Sequence, residues 1–224
     1  MAIQQCNQGI KKSAGKFILL LNPDTVVEED TFRKCIEFMI RNSNAGALGV
    51  RMTDSEGNFL PESKRAFPYP LTALFKITCL GHLFPRSKLL NRYYQPGIGI
   101  HETSQSEVIS GAFMFIRRTA LEKAGLLDED FFMYGEDIDL SYRIINSGFR
   151  NYYFPEVNIV HYKGRSTDRR GFSDIIHFYR AMRIYSGKRQ KERFSFLYYL
   201  IIPAIYFIEM LALSRRFLRI IFER

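Results

Sequence analysis

The sequence predicts an α/β fold: a mixed sheet flanked by helices, with an apolar helical tail at the C-terminus. Three observations carry that expectation. Phe17-Ile18-Leu19-Leu20-Leu21 is a continuous apolar run, the pattern of a strand covered on both faces in a parallel or mixed sheet. Between Glu28 and Arg41 the apolar residues Phe32, Cys35, Ile36, Met39 and Ile40 recur at i, i+3, i+4, i+7 and i+8, as in a helix packed by one face. From Phe194 to Leu213 only Glu209 is charged, the sharpest compositional shift in the chain. The expected division is a main domain over 1–187 and a basic, hydrophobic, membrane-associating tail over 188–224.

At 224 residues the chain can bury one sizeable core, with length left for such a tail. Its 32 Lys+Arg against 23 Asp+Glu give a net charge of +9, and the excess gathers after His161 among aromatic residues. A cationic region suits an anionic partner: nucleic acid, an anionic membrane surface or a nucleotide diphosphate. The sequence has no zinc-finger spacing, RNA-binding sheet signature or long polybasic run, so nucleic acid is not expected. Cys6, Cys35 and Cys79 are dispersed and odd in number, which fits a reducing, cytosolic setting better than a disulfide framework. The first nine residues hold no apolar core of signal-peptide length.

In chain order, Asn7-Gln8-Gly9 reads as a loop before a short helix closed by Gly15. The apolar strand follows and ends in Asn22-Pro23-Asp24-Thr25, a turn leading into the amphipathic helix. Ala45 to Val50 is a short strand, and Asp54-Ser55-Glu56-Gly57 a turn. Pro61 to about Thr103 is irregular, broken by Pro68, Pro70, Pro85 and Pro96, and has the length of a functional flap. Its cations, Lys64-Arg65 and Arg86/Lys88, read as solvated surface or as phosphate contacts. A second strand runs from Glu107 to Ile116, with the small residues Ser110, Gly111 and Ala112 at its centre. A helix from Arg118 to Ala124 ends at Gly125, and an acidic helix starts at Glu136 and ends at Asn146-Ser147-Gly148. Tyr152 to Phe154 and Val157 to Val160 are strand-like, and Gly171 to Gly187 is a basic, aromatic helix. The twenty residues from Phe194, at about 1.5 Å each, match a hydrocarbon core of about 30 Å, though Pro203 and Glu209 weaken a span. The readings are a tail that spans a bilayer, one that lies in its surface, or a buried packing helix.

Chemistry concentrates in Gly135-Glu136-Asp137-Ile138-Asp139-Leu140, with three carboxylates in four residues. On a helix, Ile138, Tyr142 and Ile145 share a buried face, and Glu136, Asp139 and Arg143 lie on another. First-turn acids are stabilised by free N–H groups and the helix dipole, so capping is one reading and a general base beside a metal or diphosphate the other. Asp24 at a strand end can hold Mg²⁺ or Mn²⁺, hard cations that take oxygen ligands. His161, at another strand end, can complete such a site.

Four ordered segments then join: Asn7-Gln8-Gly9 with Gly15 to Thr25; Ser110-Gly111-Ala112-Phe113-Met114-Phe115-Ile116-Arg117-Arg118; Phe131-Phe132-Met133-Tyr134-Gly135-Glu136-Asp137-Ile138-Asp139-Leu140; and His161-Tyr162-Lys163-Gly164-Arg165-Ser166. Together they resemble glycosyltransferase family 2, in particular its bacterial rhamnosyltransferase-like members, which have the GT-A fold. The resemblance covers about Asn7 to Tyr185. It implies that Asp24 stands at the second aspartate of the family's metal-binding Asp-X-Asp motif, with Asn22 in the first position. It implies Asp137 as catalytic base, Glu136 beside the acceptor, Gly111 and Ala112 along the donor sugar, and His161 at the metal or diphosphate. The implied reaction is inverting transfer from a nucleotide-sugar donor to a glycan or lipid-linked acceptor, with Mg²⁺ or Mn²⁺, at the cytoplasmic face of the cell membrane, in cell-surface polysaccharide synthesis.

Family members open with a Val-Val-Val-Asn-Tyr-Asn-like strand and a second strand-helix unit that hold base and ribose, and these are absent here. The expectation is an N-terminally truncated GT-A domain, with a separate chain as one source of the missing half. Competing readings are an inactive remnant, or a carbohydrate-binding or assembly subunit. A metal-dependent phosphohydrolase using Asp24, Asp137 and Asp139 is disfavoured, since no strand-end carboxylate pair or His-rich cluster serves two metals.

Overall fold

The computed structural model describes residues 3–69, 92–95, 97–162, 171–191 and 195–222. Arg86, Lys88 and the Lys163-Gly164-Arg165-Ser166 segment lie outside the described residues. The first helix, α1 (Ile3–Lys12), runs straight through Asn7-Gln8-Gly9, where the sequence suggested a loop. Ile3, Asn7 and Ile10 form its buried side, and Asn7 is satisfied there. Its side-chain amide donates to Leu127 O (2.8 Å), and its Oδ1 accepts from Leu127 N–H (3.0 Å). A polar residue with both ends bonded is a core contact rather than a helix breaker.

The expected apolar strand is β1 (Phe17–Leu21), antiparallel to β5 (Phe113–Arg117). Its side chains serve both faces, which explains the unbroken apolar run: Ile18 and Leu20 join one core and Phe17, Leu19 and Leu21 the other. After the Asn22–Asp24 turn a short strand, β2 (Thr25–Val27), pairs with β6 (Arg150–His161), so helix α2 (Thr31–Arg41) starts three residues later than its periodicity implied. In α2, Cys35 and Met39 are fully buried, while Phe32, Ile36 and Ile40 stay exposed.

The mixed sheet runs β1-β5-β3-β6-β2, with β3 spanning Ala45–Thr53, and β4 (Ser104–Gln105) lies beside β6. Strands β3 and β6 are the parallel pair, and a register shift between Val50 and Arg51 lets β6 pass Pro155 and continue to His161 as one strand. The segment expected as a strand from Glu107 is instead extended chain that turns at Ser110, where Phe113 N–H donates to Ser110 O (3.2 Å), before β5 begins. Helices α3 (Arg118–Ala124) and α4 (Glu136–Asn146) cover one face with α1, and α2 covers the other. The buried face of α4 is Leu140, Ser141 and Ile144 rather than Ile138, Tyr142 and Ile145, which are half-buried. Gly46 makes that packing possible: a Cβ there would fall 2.5 Å from Ile144 Cγ2 and 2.6 Å from Phe149 Cβ.

Helix α5 (Phe172–Tyr185) passes through a π-helical turn (Ser186–Gln190) and leads to α6 (Ser195–Phe222), which folds back along it. Glu209 of α6 is buried against Arg183 of α5, and that guanidinium also sits 4.3 Å over the Tyr206 ring. Among the described residues no helix is long and apolar enough to cross a membrane.

Candidate active site

Helix α4 begins where the chain must reverse its hand. Gly135 has φ +84°, a conformation that costs glycine nothing, and Tyr134 before it has φ +66°. This kink buries Phe131, leaves Phe132 and Met133 exposed, and delivers Glu136, Asp137 and Asp139 into three different surroundings.

Asp137 is held from three sides. Its Oδ1 accepts from Ile138 N–H (2.8 Å), and its Oδ2 accepts from Gly111 N–H (3.1 Å) and from the Arg65 guanidinium (2.5 Å). Both charged side chains are 13 % exposed. Arg65 is therefore no solvated surface cation, the reading its sequence context favoured. The backbone fixes its place: Val108 N–H donates to Arg65 O (2.9 Å), Ala66 N–H to Tyr93 O (2.7 Å), and Phe67 N–H to Glu107 Oε2 (2.6 Å). Lys64 is buried too, its ammonium donating to the carbonyls of Gln95 (3.1 Å) and Ile98. Burial works against the Arg65 charge, but Asp137 and Tyr93 outweigh it and hold the guanidinium above its ordinary value.

Glu136 makes no ion pair among the described residues. Burial first, and then the charge of Asp137, push its carboxyl up to about 7, and its Oε2 has no hydrogen-bond partner among the described residues. Asp139 is the opposite case. It is fully buried, with Oδ2 accepting from Arg143 Nε (2.7 Å) and Oδ1 accepting from Arg189 (2.6 Å).

Asp24 and His161 meet at the other end of the sheet path. Tyr162 N–H donates to Asp24 O (2.9 Å), and the β2–β6 register sets Thr25 opposite His161. His161 Nε2 lies 3.3 Å from Asp24 Oδ1 without hydrogen-bond alignment, and both Asp24 Oδ1 and His161 Nδ1 are buried without partners among the described residues. Two donors with unsatisfied lone pairs fit a divalent cation that takes its remaining ligands from water and diphosphate, as Mg²⁺ usually does. A cluster of three or more His, Cys, Asp or Glu does not occur among the described residues.

Asn22 N–H donates to Ala112 O (3.0 Å), so backbone contacts run from the Asp24 turn through Ala112 to Gly111 and Asp137. No hydrogen bond or ion pair among the described residues joins Asp24 and His161 directly to Asp137. The sequence reading did not place Arg65 beside the carboxylates. Its only signal was a pair of adjacent cations in a proline-broken stretch.

The mixed sheet flanked by helices is a GT-A fold. The crystal structure of GalNAc-T7 with UDP, GalNAc and Mn²⁺ shares the fold at a TM-score of 0.50 and 15% identity, over 82% of this chain and 34% of that one. The profile of glycosyltransferase like family 2 matches residues 2–174, and the chain belongs to that family. An N-acetylglucosaminyl-diphospho-decaprenol L-rhamnosyltransferase of Mycobacterium tuberculosis is 29% identical over 175 residues, 77% of this chain and 55% of that protein. Rhamnosyltransferase WbbL of Escherichia coli (strain K12) is 26% identical over 162 residues, 72% of this chain and 58% of that protein. The chain thus spans little more than half the length of these relatives.

Proposed function

We propose that the chain transfers a rhamnosyl or hexosyl group from a nucleotide-sugar donor to a hydroxyl of a glycan or lipid-linked acceptor in cell-surface polysaccharide synthesis, with inversion at the anomeric carbon. The observation that carries this is the Asp137 carboxylate, fixed by Arg65 and Gly111 N–H yet not fully enclosed. Asp137 takes the proton of the acceptor hydroxyl as its oxygen bonds to the anomeric carbon; the bond from that carbon to the diphosphate oxygen breaks, and the nucleoside diphosphate leaves with the electron pair. Placement of the base contributes most, since the acceptor proton moves late. Glu136 borders the acceptor, while Asn22, Gly111 and Ala112 border the donor. Asp24 and His161 would hold a divalent metal, which when bound supplies positive charge to the departing diphosphate. The names of the relatives, two of them rhamnosyltransferases and one acting on a diphospho-decaprenol acceptor, support the sugar and acceptor classes.

In this reading the enzyme works at the inner face of the cell membrane, held there by its tail, 188–224. Its helix α6 lies in the surface rather than across it, because Glu209 is turned inward to Arg183 while Phe196, Tyr199, Leu200, Phe207 and Met210 face outward.

The test is transfer from nucleotide sugars to lipid-linked and glycan acceptors with Mn²⁺ present. Asp137→Asn should abolish transfer while the protein still folds; turnover by that variant at the wild-type rate removes Asp137 from the role.

A further inference from the structure

We infer that Arg65 is the positioning residue for Asp137, fixing the direction in which the carboxylate meets the acceptor hydroxyl; this rests on the reading of Asp137 as the base. The three acids at the start of α4 divide by their cations. Asp139 has two arginines and no exposure, which makes it a structural group. Glu136 has no ion pair among the described residues, and its Oε2 has no hydrogen-bond partner there. Asp137 alone combines one arginine with access to solvent.

Its own helix holds only Oδ1, through the next residue's N–H. Oδ2 is fixed from outside, by Gly111 and by a guanidinium 72 residues away in sequence. Arg65 sits on a segment pinned by backbone bonds to Val108 and Tyr93 and by the Phe67 N–H bond to Glu107, so the position of its fork follows from the fold. Pairing two largely buried charges is a poor way to gain stability, because desolvation offsets most of the attraction. Such a pair does fix orientation. With Gly111 on one side of Oδ2 and Arg65 on the other, the carboxylate cannot rotate about its Cβ–Cγ bond without breaking both contacts. Lysine would keep the charge but lose the planar fork. Among the described residues, the charged and titratable groups that interact with Asp137 are Arg65, with Tyr93 behind it, and Glu136.

The Gly111 amide reports this geometry directly, because it donates to the same oxygen. In ¹H–¹⁵N spectra of the full chain, Asp137→Asn should move the Gly111 signal, Arg65→Met should move it in the same direction, and Arg65→Lys should restore part of the shift. Signals from β1 and β5 that stay in place show that each variant is folded. In transfer assays Arg65→Met should lower kcat by about 100-fold with the donor KM within about threefold, the pattern of a misplaced group rather than lost binding. A Gly111 signal unmoved by Arg65→Met, or wild-type kcat in that variant, overturns the inference. Wild-type turnover by Asp137→Asn instead removes the base, and the Gly111 signal still decides whether Arg65 holds the carboxylate.

Discussion

Asp139 on α4 and Arg189 in the π-helical turn between α5 and α6 form an ion pair at 2.6 Å across fifty residues, with the carboxylate fully buried. Arg143, four residues on, takes the other oxygen. Next door, Lys188 reaches Asp128 (2.6 Å) and Asp130 (2.5 Å). The turn that launches the C-terminal helix is thus tied to the helix and loop that present Asp137. These ties cross the expected boundary at 187/188, so we propose that the tail's first residues dock on the main domain as a fixed part of it.

Arg189→Ala leaves a buried carboxylate one cation short and should destabilise the protein by about 2–3 kcal/mol. Lys188→Ala, whose partners are partly exposed, should cost less than about 1 kcal/mol. Urea unfolding of the two variants checks the ranking. An Arg189→Ala midpoint equal to wild type would show that Arg143 alone satisfies Asp139.

Burial of Glu136 makes stability depend on pH. An acid whose folded value is raised from 4.5 to about 7 binds its proton more tightly when folded, so its contribution is best below about pH 4.5 and declines as pH rises to about 7. The full change is on the order of 3 kcal/mol, at about 1.4 kcal/mol per unit. Glu136→Gln cannot ionise, so it should match wild type near pH 4.5 and exceed it at pH 8. Unfolding curves at pH 4.5, 6 and 8 measure this, and equal stabilities at pH 8 would contradict the burial of a charged Glu136.

What the sequence made legible follows from how local each signal is. The run from Phe17 to Leu21, the helix ends at Gly125 and Gly148, and the helix start at Glu136 each depend on a few neighbouring residues, and the structure has them in place. The match of Asp139 to Arg143 is likewise one helical turn. Asn7 misled because its polarity speaks for a loop until Leu127, 120 residues away, satisfies it. The face of α4 shifted because Asp139 is buried, which Arg143 and the distant Arg189 together make tolerable. Arg65 was hidden for the same reason: a cation is read as surface until its partner is known, and Asp137 lies 72 residues further along the chain. The parts that escaped the sequence are those in which a polar group owes its place to a distant residue.

The outer side of α6 makes the last prediction. Glu209 is the only acid between 195 and 222, and it is turned inward to Arg183, with Ile205 buried beside it. What remains outward at the described positions is mostly apolar, Phe196 being 77 % exposed, Phe207 57 % and Phe222 79 %, with Arg215 and Arg219 among them. Apolar burial at about 1.5–3 kcal/mol per side chain, plus about 1 kcal/mol per arginine near an anionic surface, is ample for reversible binding. The full chain should therefore co-sediment with vesicles containing phosphatidylglycerol and bind zwitterionic vesicles more weakly, and binding should fall as salt screens the arginines. Replacing Phe196, Phe207 and Phe222 together by Ser should cut binding at least about tenfold, since each loses an apolar contact worth more than 1 kcal/mol. Because these side chains point away from α5, the triple variant should keep the wild-type unfolding midpoint. Vesicle binding unchanged by the three substitutions would rule out this face as the membrane contact, and an unfolding midpoint that falls sharply would show that it packs against protein instead.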